Sequence, residues 1–283
     1  MRTHYPAKVL LFGEHTVLRG GRGLAIPYPA LSLYWATGAP DERLLALADY
    51  LAASPLTEYV DASALREALR GGAVLASDIP TGYGLGSSGA VCAAVWDRFA
   101  TTAGRRLAGA DLRAAFATVE AHFHGESSGT DPLICYLGQP LLLGGGQPPA
   151  PVELPSDWAT GFFLVDSGRP RSAADYINVF LSRHDAGWAD SIAAEWRQPA
   201  DRAIAALLAG DRAALLRETT RVSRYQRAAF PNFIPHSLLP RWSSDHHALK
   251  LCGAGGGGMM LGLSTDRAAT ARVFPGARWL ADH

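Results

Sequence analysis

The sequence is short of cysteine, short of net charge and without a long hydrophobic run, and each shortage removes a class of function. Cys92, Cys135 and Cys252 are widely separated, odd in number and without metal-ligand spacing. That pattern argues against a disulfide framework or a zinc site and leaves three small core side chains in a reducing compartment as the expectation. Basic and acidic side chains balance at 26 each, so nothing electrostatic draws the chain to nucleic acid or an anionic membrane. Val9 to Phe12 is far too short to cross a bilayer and no charged-then-apolar leader pattern opens the chain, so a cytoplasmic location is expected. No fixed-period repeat recurs, which sets aside solenoids and propellers. Two phosphate signatures are missing as well: G-x-x-x-x-G-K-[ST], and a G-x-G-x-x-G opening a βαβ unit. Neither a P-loop NTPase nor a dinucleotide dehydrogenase is therefore supported.

What the chain does have is glycine beside serine. In the segment Ile79 to Ala90, Gly82, Gly84, Leu85, Gly86, Ser87 and Ser88 run directly into an apolar helical pattern of Val91, Ala94, Val95 and Phe99. Glycines with free access to positive φ let backbone N–H groups approach an anion, the helix N-terminus favours negative charge, and the serines offer hydroxyls for capping, phosphate or magnesium. The spacing predicts a phosphate cradle, with a serine-capped tight turn as the plainer alternative. A second glycine run spans Gly253 to Gly258, between strand-like Leu249 to Cys252 and Met259 to Leu263.

Helices are also expected over 44–51, 62–69, 111–123 with Asp111 as cap, 173–181, and 200–227 with a break near Gly210-Asp211. Strands are expected over 9–12, 141–143 and 162–165, with an extended region over 24–35 interrupted by Pro27 and Pro29. The segment 147–151 reads as a linker, dividing the chain into 1–150 and 151–283. The mixed order of elements indicates an α+β architecture rather than a Rossmann sheet.

Cradled phosphates call for a metal, charge neutralisation and a group to take the acceptor's proton. Glu120 lies at the edge of its helix stripe, and Asp131 follows in a Ser/Gly/Pro turn; Glu120 with Ser88 would suit magnesium. Taken singly, Glu120 is a solvated helix residue and Asp131 a turn former. Lys8 precedes the first strand, and Glu14 and His15 follow it, where substrate-binding groups often emerge; alone, they read as a solvated lysine and a strand-end pair. His122, His124, His246 and His247 lack helical zinc spacing and read as solvated or hydrogen-bonded. Trp188, Trp196, Trp242 and Trp279 read as packing residues.

Together, three separated segments resemble the GHMP kinase superfamily, and its mevalonate kinases most. They are Pro6 to Leu18, Ile79 to Ala90 and Lys250 to Gly258, with Ser128-Gly129-Thr130-Asp131 and the Glu120 to Asp131 spacing between them. The resemblance implies a two-domain fold, with a ribosomal protein S5 domain 2-like N-terminal domain and a ferredoxin-like C-terminal domain. It implies ATP and Mg2+ as cofactors, Asp131 as catalytic base and Lys8 as its partner. On the same resemblance Ser88 and Glu120 hold the metal, the 82–88 backbone wraps the phosphates, and Gly255 packs against that loop. Ser128 would support the Asp131 turn or the phosphates, while Glu14, His15 and Arg171 would bind the acceptor. The acceptor it implies is mevalonate, converted to 5-phosphomevalonate for isoprenoid precursors. Phosphomevalonate, a sugar, an amino-acid alcohol or a non-catalytic regulatory role are the alternatives, and a homodimer is compatible. Val17 stands where similar galactokinases carry an acidic residue, and Gly89 where alanine is common after the two serines.

Overall fold

Alternating burial along β1 (Tyr5–Phe12) turns Tyr5, Ala7, Val9 and Leu11 into the core. Antiparallel to it runs β2 (Arg22–Thr37), a single long strand where an interruption was expected. Pro29 falls in the register break between Tyr28 and Ser32, so its missing N–H costs no ladder bond. The computed structural model describes residues 2–282. After β2 come α1 (Glu42–Ala52), α2 (Ala62–Arg70), β3 (Ala73–Ser77), α3 (Ser87–Phe99), α4 (Gly109–His124), α5 (Thr130–Leu137), β4 (Leu141–Gly144) and β5 (Ala150–Pro151). β1, β2, β4 and β5 pair in that order, with β3 on the far half of β2. The expected linker thus ends inside the sheet, because Ala150 and Pro151 pair with Leu142 and Leu141.

A second antiparallel sheet, ordered β7 (His247–Leu251), β8 (Met259–Ser264), β6 (Phe162–Asp166), β9 (Arg278–Trp279), follows in the C-terminal half. With it come α6 (Ala173–Arg183), α7 (Ala189–Ile192), α8 (Gln198–Leu208), α9 (Arg212–Ala229) and α10 (Arg267–Val273). β6 is covered on both faces, which explains its unbroken apolar run. Phe162 and Leu164 join Phe12, Ile204 and Leu207 in a core shared with the first sheet, while Phe163 and Val165 face Trp242, Phe233 and Phe274. α8 packs on β1 and β2, so the C-terminal half closes one face of the first sheet. α1 to α4 close the other. Among the described residues no helix is long and apolar enough to cross a membrane.

Helix starts fall into contrasting kinds. Asp41, Asp61, Asp211 and Asp266 cap α1, α2, α9 and α10, each accepting a backbone N–H. α3 and α5 begin instead from Gly86 and Gly129, both left-handed, with no side-chain cap. The first N–H groups of α3 are left for another partner, whereas at α5 the Thr130 N–H goes to Ser128 Oγ. Asp111 is not the cap expected of it: α4 starts a residue pair earlier, after Ala108, and Asp111 lies in its first turn. Trp196 and Trp242 are fully buried as expected, whereas Trp188 is exposed beside Arg183 and Phe230.

Candidate active site

Lys8 joins two parts of the site. Its backbone N–H donates to the Leu85 carbonyl at 2.9 Å, fastening β1 to the glycine loop. Its ammonium lies 3.0 Å from Asp131 Oδ2. Burial alone would push the Lys8 pKa down, but the Asp131 carboxylate and its hydrogen bond outweigh that, and the net shift is upward. Lys8 is thus a buried, charged group. Leu85 itself points into the core, so its part in the loop is played by the main chain. Gly86 is obligatory here, because a Cβ at its φ of +74° would stand 2.7 Å from Lys8 Cγ.

Asp131 is not in a free turn: it sits in the first turn of α5. Pro132 is harmless so close to a helix start, where its absent N–H has no intrahelical acceptor. Ser128 supports the entry, accepting from Thr130 N and donating to Thr130 Oγ1. α3 approaches α5 closely at Gly89, where an added Cβ would lie 2.8 Å from the Asp131 carbonyl carbon. The glycine in place of alanine therefore has a local cause.

Beside this pair, Ser88 Oγ donates to Glu120 Oε1 at 2.9 Å, and Ser127 Oγ donates to Oε2. His124 Nε2 lies 3.1 Å from Ser88 Oγ. Glu120 is buried, and burial, then the nearby Asp131 charge, raise its pKa to about 7. The oxygen donors of Ser88 and Glu120 fit a hard cation that takes its remaining ligands from phosphates and water. Because folded Glu120 holds its proton up to about pH 7 while the unfolded carboxyl releases it near 4.5, this group costs stability as pH rises through that window. Metal-free Glu120→Gln protein should therefore melt above wild type at about pH 8 and lose that advantage at about pH 4.5. Differential scanning fluorimetry at the two pH values decides it; an equal shift at both would detach the effect from the carboxyl charge.

Arg171 enters from the C-terminal half. Its backbone N–H donates to Gly82 O at 3.0 Å, and its Nη2 lies 2.6 Å from where a Cβ would stand on either Gly84 or Gly253. The two glycine runs thus leave the slot that the guanidinium fills. Burial pushes its pKa down, opposed by Cys252, Asp131 and Tyr176. Among the described residues the guanidinium makes no hydrogen bond or ion pair. The third motif touches the first glycine loop through Gly258, where an added Cβ would meet the Tyr83 carbonyl, and through Met259, whose N–H donates to Tyr83 O at 3.2 Å. Gly255 does not: it is turned to Phe233, whose carbonyl a Cβ there would meet at 2.8 Å.

Glu14 and His15 depart most from expectation. Glu14 is 1 % exposed; Lys250 Nζ lies 2.8 Å from Oε2 and Gln226 Nε2 donates to Oε1 at 2.7 Å. Gln226 in turn accepts from Leu251 N–H at 2.9 Å, completing a buried bridge between the first and third motifs. Burial raises the Glu14 pKa, against the pull of Lys250. His15 has φ +60°, the one positive φ among described non-glycine residues, and its ring lies among Phe180, Trp196 and Phe233. Burial lowers its pKa to about 4. A neutral ring facing the Ala254 carbonyl at 3.0 Å must carry its proton on Nε2, which leaves Nδ1 a buried acceptor without a partner. Neither side chain is free to meet a small molecule: Glu14 is engaged by Lys250 and Gln226, and the His15 ring is enclosed by aromatics. The apolar surroundings of His15 are those three aromatics, while nearby Leu18 is exposed.

Gln226, Lys250, Ser127 and Gly253 are members of the cluster that sequence reading missed. Only Lys250 and Gly253 carried a signal, as parts of the third motif.

This combination of an uncapped serine-bearing helix, a lysine–aspartate pair and a second glycine loop defines a class. Residues 56–139 match the family model described as GHMP kinases N terminal domain, and the chain takes the GHMP kinase fold. The mevalonate kinase of Thermococcus onnurineus (strain NA1) is 29% identical over 161 residues, covering 47% of this chain and 48% of that protein. The chain spans about half the length of the curated relatives it matches. Among solved structures, L. major mevalonate kinase in complex with R-mevalonate superposes with a TM-score of 0.64 at 17% identity, over 96% of this chain and 90% of that one. Streptococcus pneumoniae phosphomevalonate kinase in complex with phosphomevalonate and AMPPNP gives 0.64 at 16% identity, over 94% and 93%.

Proposed function

We propose that the chain is an ATP- and magnesium-dependent kinase that phosphorylates the primary hydroxyl of mevalonate. The 1–150 segment would contribute the phosphate loop, the metal ligands and the base, and 151–283 the acceptor's anchor. Asp131 accepts the hydroxyl proton, and Lys8 holds that carboxylate and offsets charge on the transferred group. Ser88 and Glu120 would hold the magnesium ion, which supplies neutralisation of the β- and γ-phosphates. The free N–H groups at the start of α3 face the same phosphates.

The observation that carries the reading is the partnerless Arg171 guanidinium between the two glycine loops, within electrostatic reach of Asp131. A buried cation there calls for an anionic acceptor, and the aromatic wall around His15 suits a short branched acid better than a polyhydroxylated ring. The likeness to proteins named mevalonate kinase supports the same acceptor, while the equal TM-scores of 0.64 leave phosphomevalonate as the competitor to test.

Measured ADP release is expected with mevalonate in preference to phosphomevalonate, galactose and homoserine. Turnover of a sugar with none of mevalonate would refute the acceptor and leave the kinase class. Arg171→Ala should raise KM for the acceptor by about 10-fold or more, the worth of a charge-assisted hydrogen bond, and change KM for ATP little. An unchanged acceptor KM would remove Arg171 from that role. Ser88→Ala and Glu120→Gln should each demand more magnesium for half-maximal rate; wild-type metal titrations in both would mean the metal is held elsewhere.

A further inference from the structure

Glu120 is held from both sides, by Ser88 Oγ donating to Oε1 at 2.9 Å and by Ser127 Oγ donating to Oε2. Behind each serine stands a further nitrogen: His124 Nε2 at 3.1 Å from Ser88 Oγ, and Gly129 N, which donates to Ser127 Oγ at 2.9 Å. His124 follows Glu120 by one helical turn on α4, which sets the two side chains over the same face. The helix ends there, and Gly125, at φ +77°, turns the chain toward Ser127 and the start of α5.

Proton bookkeeping fixes the direction of every bond in this chain. An ionised carboxylate, the form a cation requires, only accepts, and a hydroxyl has one proton and two lone pairs. Ser88 directs its proton at Glu120, so the imidazole nitrogen that meets it must carry N–H, and His124 donates from Nε2. One Ser88 lone pair is then occupied and one is left. Ser127 is arranged alike, with its proton on Oε2 and a lone pair taken by the Gly129 N–H. Neither hydroxyl can turn its proton toward an arriving cation without breaking a bond. A turn-forming serine calls for only the Gly129 contact; the second bond, to Glu120, is not part of a turn.

On the reading of Ser88 and Glu120 as the ligands of magnesium, we infer that His124 and Ser127 are the residues that position them. His124 leaves Ser88 with one lone pair for the cation, and Ser127 holds the Glu120 carboxylate in place from the side of α5. Neither touches the ion. Groups standing behind metal ligands orient them and tune their affinity, and losing one typically weakens metal binding by about 10–100-fold. Ser127 also joins two parts of the centre, since Gly129 is the left-handed start of the helix whose first turn carries Asp131. The carboxylate for the metal and the helix of the base are thus linked through one hydroxyl.

The test is calorimetric titration of the full chain with the non-hydrolysable ATP analogue AMPPNP, once with magnesium and once with EDTA. Magnesium should tighten binding to wild type, and the ratio of the two affinities is the readout, independent of turnover. His124→Ala and Ser127→Ala should each lower that ratio about 10-fold and leave the metal-free affinity at the wild-type value. His124→Gln, whose amide N–H can stand where Nε2 stood, and Ser127→Thr, which keeps the hydroxyl, should restore it. A merely structural role would instead shift the metal-free affinity and the melting curve and leave the ratio alone, which overturns the positioning roles. Should Ser127→Ala melt early, His124→Ala carries the decision, because that side chain is exposed. Glu120→Gln separates the two ways of failing. If it abolishes the ratio while His124→Ala and Ser127→Ala keep the wild-type value, the positioning roles are wrong and the metal site stands. If magnesium fails to tighten binding to wild type, or Glu120→Gln leaves the ratio intact, the ligands are misassigned and the roles of His124 and Ser127 fall with them.

Discussion

Asp131→Asn is expected to lower kcat by ~10²–10⁴, the usual contribution of a positioned base, while ATP binding stays near wild type. The amide keeps the shape of the side chain and can still accept from Lys8 at the 3.0 Å contact, so the first turn of α5 has no reason to move. What is lost is the capacity to take a proton. A fall in kcat with unchanged nucleotide affinity, measured by single-turnover kinetics and nucleotide titration, is the expected result. A variant keeping more than about a third of wild-type kcat, with chemistry rate-limiting, would remove Asp131 from the base's role.

The second large effect concerns stability. Lys250 and Glu14 are each 1 % exposed, and Lys250 Nζ and Glu14 Oε2 are 2.8 Å apart. Removing one member of such a pair strands the other charge, which typically costs about 3–5 kcal/mol. Lys250→Met should therefore lower the melting temperature by roughly 5–15 °C for a chain of this size. The sign of its pH dependence follows from Glu14, whose carboxyl is already raised by burial. Without Lys250 it is raised further, so the deficit should shrink as pH falls and Glu14 takes up a proton. The double change Glu14→Gln with Lys250→Met should recover much of the loss, because no buried charge remains. A single variant within about 1 kcal/mol of wild type, or a double variant no better than the single, would show that the pair is not buried as described.

The helices and strands marked by strong local pattern were readable in advance. The break between α8 and α9 fell at Gly210-Asp211, where Asp211 accepts from Ala214 N. The start of α3 at the serines was also legible, although the residue at its cap is Gly86. α5 was not, because Ser-Gly-x-Asp-Pro is turn chemistry and helix-start chemistry at once; only packing against Gly89 decides between them. β3 escaped notice because its residues are half-buried without alternation.

Within the site, Lys8, Ser88, Glu120 and Asp131 could be named together through the resemblance, and the fold brings them together. The fate of Glu14 was not readable, since its partners lie 212 residues away at Gln226 and further still at Lys250. A strand-end carboxylate looks the same in sequence whether it meets water, substrate or a buried lysine. Arg171 gave the reverse case: its local match was thin, yet the slot between Gly84 and Gly253 gives it a position no pattern along the chain could supply.

Lys8 binds the glycine loop through its backbone and Asp131 through its side chain. The separation between the glycine loop and the carboxylate is therefore spanned by the covalent length of one amino acid, and functions as a molecular gauge block. Drift of the loop carries the carboxylate with it, so errors in the two halves are correlated rather than independent. Mutational change can accumulate in the acceptor's surroundings or in loop lengths without altering that spacing. Shortening Lys8 by a single methylene, as in ornithine, would retain the charge yet alter that spacing.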